Sequence, residues 1–292
     1  MKKLLSLLLI CAMLALCCGC AQQPSAQIAA TTLPVYEFTS RLCEHTDLTV
    51  TRLVTESVSC LHDYSLNVRQ VRAAEAAELI VISGAGLEEF MEDLLHDKAV
   101  VDSSAGIELT ECEDHHDHGH HGHDHHHDVD NHIWLAPENA KIMASNICEG
   151  LSARYPEYAA TFQANLAQLV QEIEELQSYG ESQLLDLSCR ELITFHDGFS
   201  YLAQSFGLTI LEAVEEESGS EASASELKHL IEEVEHHNLP AIFTEVNGSD
   251  SAASVIARET GIPCYQLDMA MGGDSWFDAM YHNIHTLKEA LK

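Results

Sequence analysis

The chain has 292 residues, enough for two domains with cores of their own, and its 46% hydrophobic content is that of a globular protein. Its charge is unbalanced: 14 Lys and Arg against 47 Asp and Glu give −33, and losing Lys2 and Lys3 with a signal peptide leaves 12 against 47, or −35. Such a surface repels nucleic acid and anionic headgroups and concentrates cations, which argues against a DNA or RNA partner; acidity that serves solubility alone would give the same balance.

Met1-Lys2-Lys3 and the apolar run Leu4 to Leu16 read as a signal peptide over residues 1–19, since the run is too short to span a bilayer comfortably and polar Gln22-Gln23 follow. Cys17-Cys18-Gly19-Cys20 resembles a bacterial lipobox in which Cys20 carries the lipid, although Cys17 stands where Leu is usual. Residues 20–26 would then be a lipid-anchored tether, with cleavage to a free soluble protein as the alternative. Six further cysteines, Cys43, Cys60, Cys112, Cys148, Cys189 and Cys264, are scattered without a C-x-x-C pair. An exported protein can pair such cysteines, and the sequence does not choose among the pairings.

An N-terminal α/β lobe is expected over 27–155. Gln27 to Thr32 reads as a buried strand, Pro34 opens a helix to about Glu44, and Leu48 to Val54 alternates like a strand. A helix over Leu66 to Ala77, a strand over Leu79 to Ser83, a helix over Glu88 to Leu95 and a short strand over Ala99 to Asp102 follow. Residues 103–130 should lack regular structure. Within them, His115 to His127 holds nine histidines, with Asp and Gly but no apolar residue, and cannot bury enough surface to offset its ordering entropy. Pro137 to about Arg154 is the next helix.

Pro156 to about Leu185 carries the longest helical pattern, with Tyr158, Phe162, Leu166, Leu169, Ile173 and Leu176 at three- and four-residue spacing and Gly180 as its weak point. About thirty residues would reach roughly 45 Å, so 156–186 is read as a linker helix. A C-terminal α/β lobe over 187–292 restarts the alternation. Its strands are Glu191 to Phe195, Leu208 to Leu211, Ala241 to Thr244 and Pro263 to Leu267; its helices are Ser200 to Phe206, Ser225 to His237, Ser249 to Thr260 and Trp276 to Leu291. Ser225 is read as the N-cap after a polar loop. Strands alternating with helices imply a parallel sheet in each lobe with flanking helices.

On this map His62, His132, His196 and Asp268 lie just beyond the C-terminal ends of strands, two in each lobe, so an inter-lobe cleft could gather them. Three imidazoles and a carboxylate suit tetrahedral Zn²⁺ and leave no position for a substrate water, which points to carriage rather than hydrolysis. Each histidine alone is weak evidence, because a lone loop histidine is more often a surface or hydrogen-bonded residue. Asp63, Asp130 and Asp197 sit beside the three histidines and could orient the imidazoles, although aspartate is common in loops anyway. Cys60, two residues before His62, is a competing thiolate ligand hard to converge with it on one ion. A zinc hydrolase would need an open fourth position; its H-x-H-x-D-H pattern is absent, and His123-Asp124-His125-His126-His127-Asp128 only approaches it inside low complexity.

The stretches HDYSLNVRQVRAAEAAELIVISGAGLEEFM, DNHIWLAPENA, ITFHDGFSYLAQSFGL, SASELKHLIEEVEHHNLPAIFTEVNGSDSAASVIARETG and GDSWFDAMYHN cover nearly the whole mature chain in order. They resemble the solute-binding lipoproteins of ABC-type zinc and manganese importers. The resemblance implies two α/β lobes joined by one long helix, with metal in the cleft between them and ligand roles for His62, His132, His196 and Asp268. It implies a non-enzymatic, monomeric, extracytoplasmic protein held to the bacterial cell membrane by its lipid, which delivers Zn²⁺ to a membrane permease with a cytoplasmic ATPase. Histidine at 196, where manganese-type members carry a carboxylate, and the His-rich loop both favour zinc; a Mn²⁺-binding homologue and a surface zinc buffer or adhesin without transport are the alternatives. Glu245 also matches the family, as a residue beside the ligands or between the lobes. Leu61, where Pro usually precedes the first histidine, and the short apolar Met269-Ala270-Met271 depart from the pattern. In the loop, His115, His116, His118, His120, His121, His123, His125, His126 and His127 are read as auxiliary zinc ligands, with metal sensing and inert filler as the other readings.

Overall fold

A computed structural model describes residues 26–56, 61, 64–110, 129–214 and 223–292. The signal peptide, Cys20, Cys60, His62, Asp63 and the nine loop histidines therefore lie outside the described residues.

Two four-stranded sheets, each entirely parallel, organise the chain. The first runs in the order β2-β1-β3-β4, from β1 (Ile28–Ala30), β2 (Val50–Arg52), β3 (Leu79–Ile82) and β4 (Val100–Asp102). The second repeats that order as β6-β5-β7-β8, from β5 (Glu191–Thr194), β6 (Thr209–Ala213), β7 (Ile242–Glu245) and β8 (Cys264–Leu267). The central strands of the first sheet are apolar runs: β1 is buried throughout, and β3 reads Leu-Ile-Val-Ile. That composition belongs to parallel strands covered on both faces by helices. In each sheet the chain order reverses beside the first strand, at β1/β3 and at β5/β7. The crevice at the C-terminal ends of such a pair is where open α/β sheets bind ligands.

Helices α1 (Leu33–Leu42), α2 (Val68–Ala76), α3 (Glu92–Leu95) and α4 (Pro137–Arg154) flank the first sheet. Helix α5 (Ala159–Gln183) follows, and α6 (Ser200–Ser205), α7 (Ala224–His237), α8 (Ser251–Thr260) and α9 (Trp276–Leu291) accompany the second. Local chemistry sets several starts. Asn67 accepts from the Arg69 and Gln70 amides while the Gln70 side chain returns to the Asn67 N–H, a capping box that starts α2. Three expectations are corrected. The N-cap of α7 is Ser223 rather than Ser225, because Ser223 and Glu226 form the reciprocal S-x-x-E box, whereas Ser225 would face Lys228. The segment 88–95 breaks into a 3-10 turn, Glu89–Met91, and the short α3, since the Glu88 side chain is turned back onto the end of β3. The long helix begins only after a 3-10 turn at Pro156–Tyr158; its 25 residues reach about 38 Å. Gly180 is no break in it. A Cβ there would come within 2.3 Å of the Phe206 ring, so the glycine lets α5 press against the second lobe.

Helix α5 packs against α1 and α4 on one side and α9 on the other, and a single buried cluster runs from Ile28 to Leu291 across both lobes. The seam is also hydrogen-bonded. Trp134 Nε1 donates to the Met269 carbonyl (2.8 Å), and Trp276 Nε1 donates to the Trp134 carbonyl (3.0 Å). Trp276 stacks edge-on against Phe38 of α1 at 5.2 Å, and Arg52 donates to the Gly273 carbonyl at 2.9 Å. The segment that follows Asp268 thus belongs to the second half of the sequence but is fastened to the first lobe.

Candidate metal centre

His132 sits at the N-cap of a 3-10 turn, Ile133–Leu135, and is 6% exposed. Asp130 holds it twice: one carboxylate oxygen accepts the His132 backbone N–H (2.9 Å) and faces its Nδ1 (2.8 Å). The first bond is the local turn that Asp makes with the amide two residues on. The second assigns the proton to Nδ1 and leaves the Nε2 lone pair free to coordinate, the arrangement in which a carboxylate orients a ligand histidine. Asp130 is itself 3% exposed, and its other oxygen makes no hydrogen bond to a described residue.

His196 follows β5 and is 9% exposed, with its carbonyl accepting from the Thr194 hydroxyl. Gly198 makes room for its ring: a Cβ at 198 would lie 2.9 Å from His196 Nε2 and 2.7 Å from the Met269 methyl. The two imidazoles meet across the seam. His132 Nε2 and His196 Nε2 are 3.5 Å apart, with the rings at 84° to each other. A tetrahedral Zn²⁺ with Zn–N of about 2.0–2.1 Å sets its nitrogen ligands about 3.3–3.4 Å apart, so the pair matches one edge of that tetrahedron.

Asp268 follows β8 and is half-buried. Its backbone is clamped by the fully buried Asn283 of α9, which accepts the Asp268 N–H and donates to its carbonyl, both at 2.7 Å. One carboxylate oxygen accepts the Ala270 N–H at 2.8 Å. The residue lines a cavity of about 290 Å³ with Val246, Asn247, Met269, Met271, Gly272 and Gly273. Glu245, 5% exposed, ends β7 beside β5 and folds back over Gly248, where a Cβ would lie 2.4 Å from the Glu245 Cγ. Asp197 is half-buried next to His196. Among the described residues no group of three or more His, Cys, Asp and Glu converges to hold a metal. The structure thus brings His132, Asp130 and His196 together and places Asp268 and Glu245 at neighbouring strand ends, and His62 and Asp63 lie outside the described residues. The four described cysteines, Cys43, Cys148, Cys189 and Cys264, are free.

Several contributors escaped the sequence reading. Gly198 and Asn283 lie in the FHDGF and MYHN stretches, but only the close approach and the backbone clamp reveal their work. The seam tryptophans and Tyr201 have no role in the sequence reading.

Two parallel α/β lobes with donor side chains at their carboxyl edges are the build of a two-lobed ligand-binding protein. Residues 28–290 match the model of the ZnuA family, described as zinc-uptake complex component A, periplasmic, and the chain belongs to that family. It is 28% identical over 310 residues to a protein of Streptococcus pneumoniae named zinc-binding lipoprotein AdcA, covering 99% of this chain but 61% of the relative. The chain therefore spans less than two thirds of the AdcA proteins. It is also 28% identical over 279 residues to a Bacillus subtilis protein named high-affinity zinc uptake system protein ZnuA, covering 90% of this chain and 87% of that one. A crystal structure of ZnuA superposes with a TM-score of 0.78 at 27% identity, covering 91% of this chain and 100% of that one. A zinc-bound deletion mutant of ZnuA gives 0.75 at 26%, covering 91% and 98%.

Proposed function

We propose that the chain is the extracytoplasmic zinc-binding component of an ABC-type importer. It captures one Zn²⁺ between an N-terminal lobe (27–155) and a C-terminal lobe (187–292), braced by the linker at 156–186 that contains helix α5, and passes it to a membrane permease driven by a cytoplasmic ATPase. The observation that carries this reading is the buried His132–His196 pair at 3.5 Å, with Asp130 fixing the His132 tautomer, in a chain of the ZnuA family. His62 and Asp268 would complete the set, and Glu245 would stand beside it. Four protein ligands leave no site for an activated water, so the reading is carriage rather than catalysis. Metal binding requires neutral imidazoles, so protons compete with zinc for the site. Residues 115–127 act as auxiliary, weaker zinc ligands. Cys20 would carry the lipid that holds the protein at the outer face of the cell membrane; no helix among the described residues is long and apolar enough to cross a membrane.

The test is calorimetric titration of the mature chain with Zn²⁺ and Mn²⁺ at neutral pH, with and without residues 113–128. One tight zinc site that survives loop deletion, with Mn²⁺ far weaker, is expected. Loss of all tight binding with the loop would replace this reading with a histidine-rich metal sponge. Tighter Mn²⁺ than Zn²⁺ would reverse the assignment of cargo.

A further inference from the structure

His132 and His196 lie on opposite sides of the lobe seam, so something must fix their spacing. Tyr201 is placed to do so. It stands on α6, the helix that starts just beyond His196, and is 4% exposed in the seam core. Its hydroxyl reaches across to the first lobe, donating to the Asp130 carbonyl (3.0 Å) and accepting the Thr110 N–H (3.0 Å). The Asp130 amide in turn donates to the Thr110 carbonyl at 2.9 Å. One phenol oxygen thus fixes the backbone of Asp130, whose carboxylate holds His132 by both its amide and its Nδ1. Helix α6 also packs against the 3-10 turn that His132 caps.

We propose that Tyr201 is a positioning residue of the metal site, its hydroxyl setting the His132–His196 separation through Asp130; this rests on the zinc-site reading above. A hydroxyl used as both donor and acceptor is fixed in two directions, and its buried ring cannot swing to follow a displaced carbonyl. Removing the oxygen while keeping the ring frees the Asp130 backbone from α6 and lets the two nitrogens drift from the tetrahedral spacing.

The test compares the full mature chain with its Tyr201→Phe variant. Zinc affinity is read by competition with a chromophoric chelator, and Co²⁺ is used as a probe whose visible absorption reports ligand geometry. Tyr201→Phe is expected to bind zinc about tenfold more weakly, the scale of lost support around a ligand histidine, and to change the Co²⁺ band. Ser205→Ala, which removes only a 2.7 Å bond to the Tyr201 carbonyl on the same helix, is expected to keep the parent affinity and spectrum. Unchanged affinity and Co²⁺ spectrum in Tyr201→Phe overturn the proposal, whether or not the melting temperature falls, and leave the zinc reading standing. Tight zinc binding that survives His132→Ala and His196→Ala would instead sink the zinc-site reading itself.

Discussion

The Glu88 carboxyl offers a direct physical test of the first lobe. It is 4% exposed at the β1/β3 reversal, where it accepts from the Thr31 hydroxyl (2.6 Å), the Ser83 N–H (2.8 Å) and the Gly84 N–H (3.0 Å). Burial outweighs these three donors and, with the nearby Asp102 charge, pushes its pKa from an ordinary 4.5 up to about 7. Because the folded pKa lies above the unfolded one, the native state holds the proton where the unfolded chain has lost it. Stability from this group is therefore full below about pH 4.5, declines as pH rises, and levels off above about pH 7. The gap corresponds to about 3 kcal/mol between pH 4 and pH 8. Glu88→Gln removes the titration. The variant loses the carboxylate acceptor of the Gly84 amide, a pH-independent offset of about 1–3 kcal/mol that adds to, and does not alter, the change with pH. The decisive quantity is the difference between the two proteins. Urea unfolding of metal-free protein in chelator, at steps from pH 4 to pH 8, should show Glu88→Gln gaining about 3 kcal/mol relative to the parent across that range. Parallel profiles would refute the reasoning, and a relative loss with rising pH would mean that the three donors outweigh burial.

Three further outcomes follow from the same geometry. Gly198→Ala drives a methyl against the His196 ring and Met269 and should weaken zinc binding by tenfold or more while the protein stays folded, read by chelator competition together with circular dichroism. Asn283→Ala leaves the Asp268 backbone N–H and carbonyl without their clamp in a half-buried place and should cost about 1–3 kcal/mol in denaturant unfolding; a loss under 0.5 kcal/mol would show that the clamp is dispensable. Gly180→Leu forces α5 off Phe206 and Ile284 and should destabilise by several kcal/mol, whereas the same change at exposed Gly261, where a Cβ meets nothing, carries only the cost of its left-handed backbone.

Much of the fold was legible because its periodicities are local. Apolar runs such as Leu79–Ile82 and the i, i+3, i+4 pattern from Phe162 to Leu176 each follow from a few neighbouring residues, so strands, helices and parallel sheets could be read in order. The start of α7 was misplaced by two residues because two serines compete there, and only the reciprocal bond with Glu226 separates them. Likewise the pairing of Asp130 with His132 was readable, since it spans two residues and uses a turn that aspartate forms by itself.

What the sequence by itself determined is the inventory: an acidic α/β chain in two halves, with histidines and a carboxylate after its strands. Which of these groups meet was decided by tertiary structure. The His132–His196 approach joins residues 64 positions apart, the Asn283 clamp on Asp268 depends on α9 packing against β8, and the Tyr201 bridge to Asp130 depends on a helix packing across the seam. Gly180 and Gly198 make the same point, since each reads as a helix breaker or a loop glycine until a neighbouring ring occupies the space where its side chain would be. Distances between side chains far apart in sequence are set by how whole elements pack, and no local pattern encodes them.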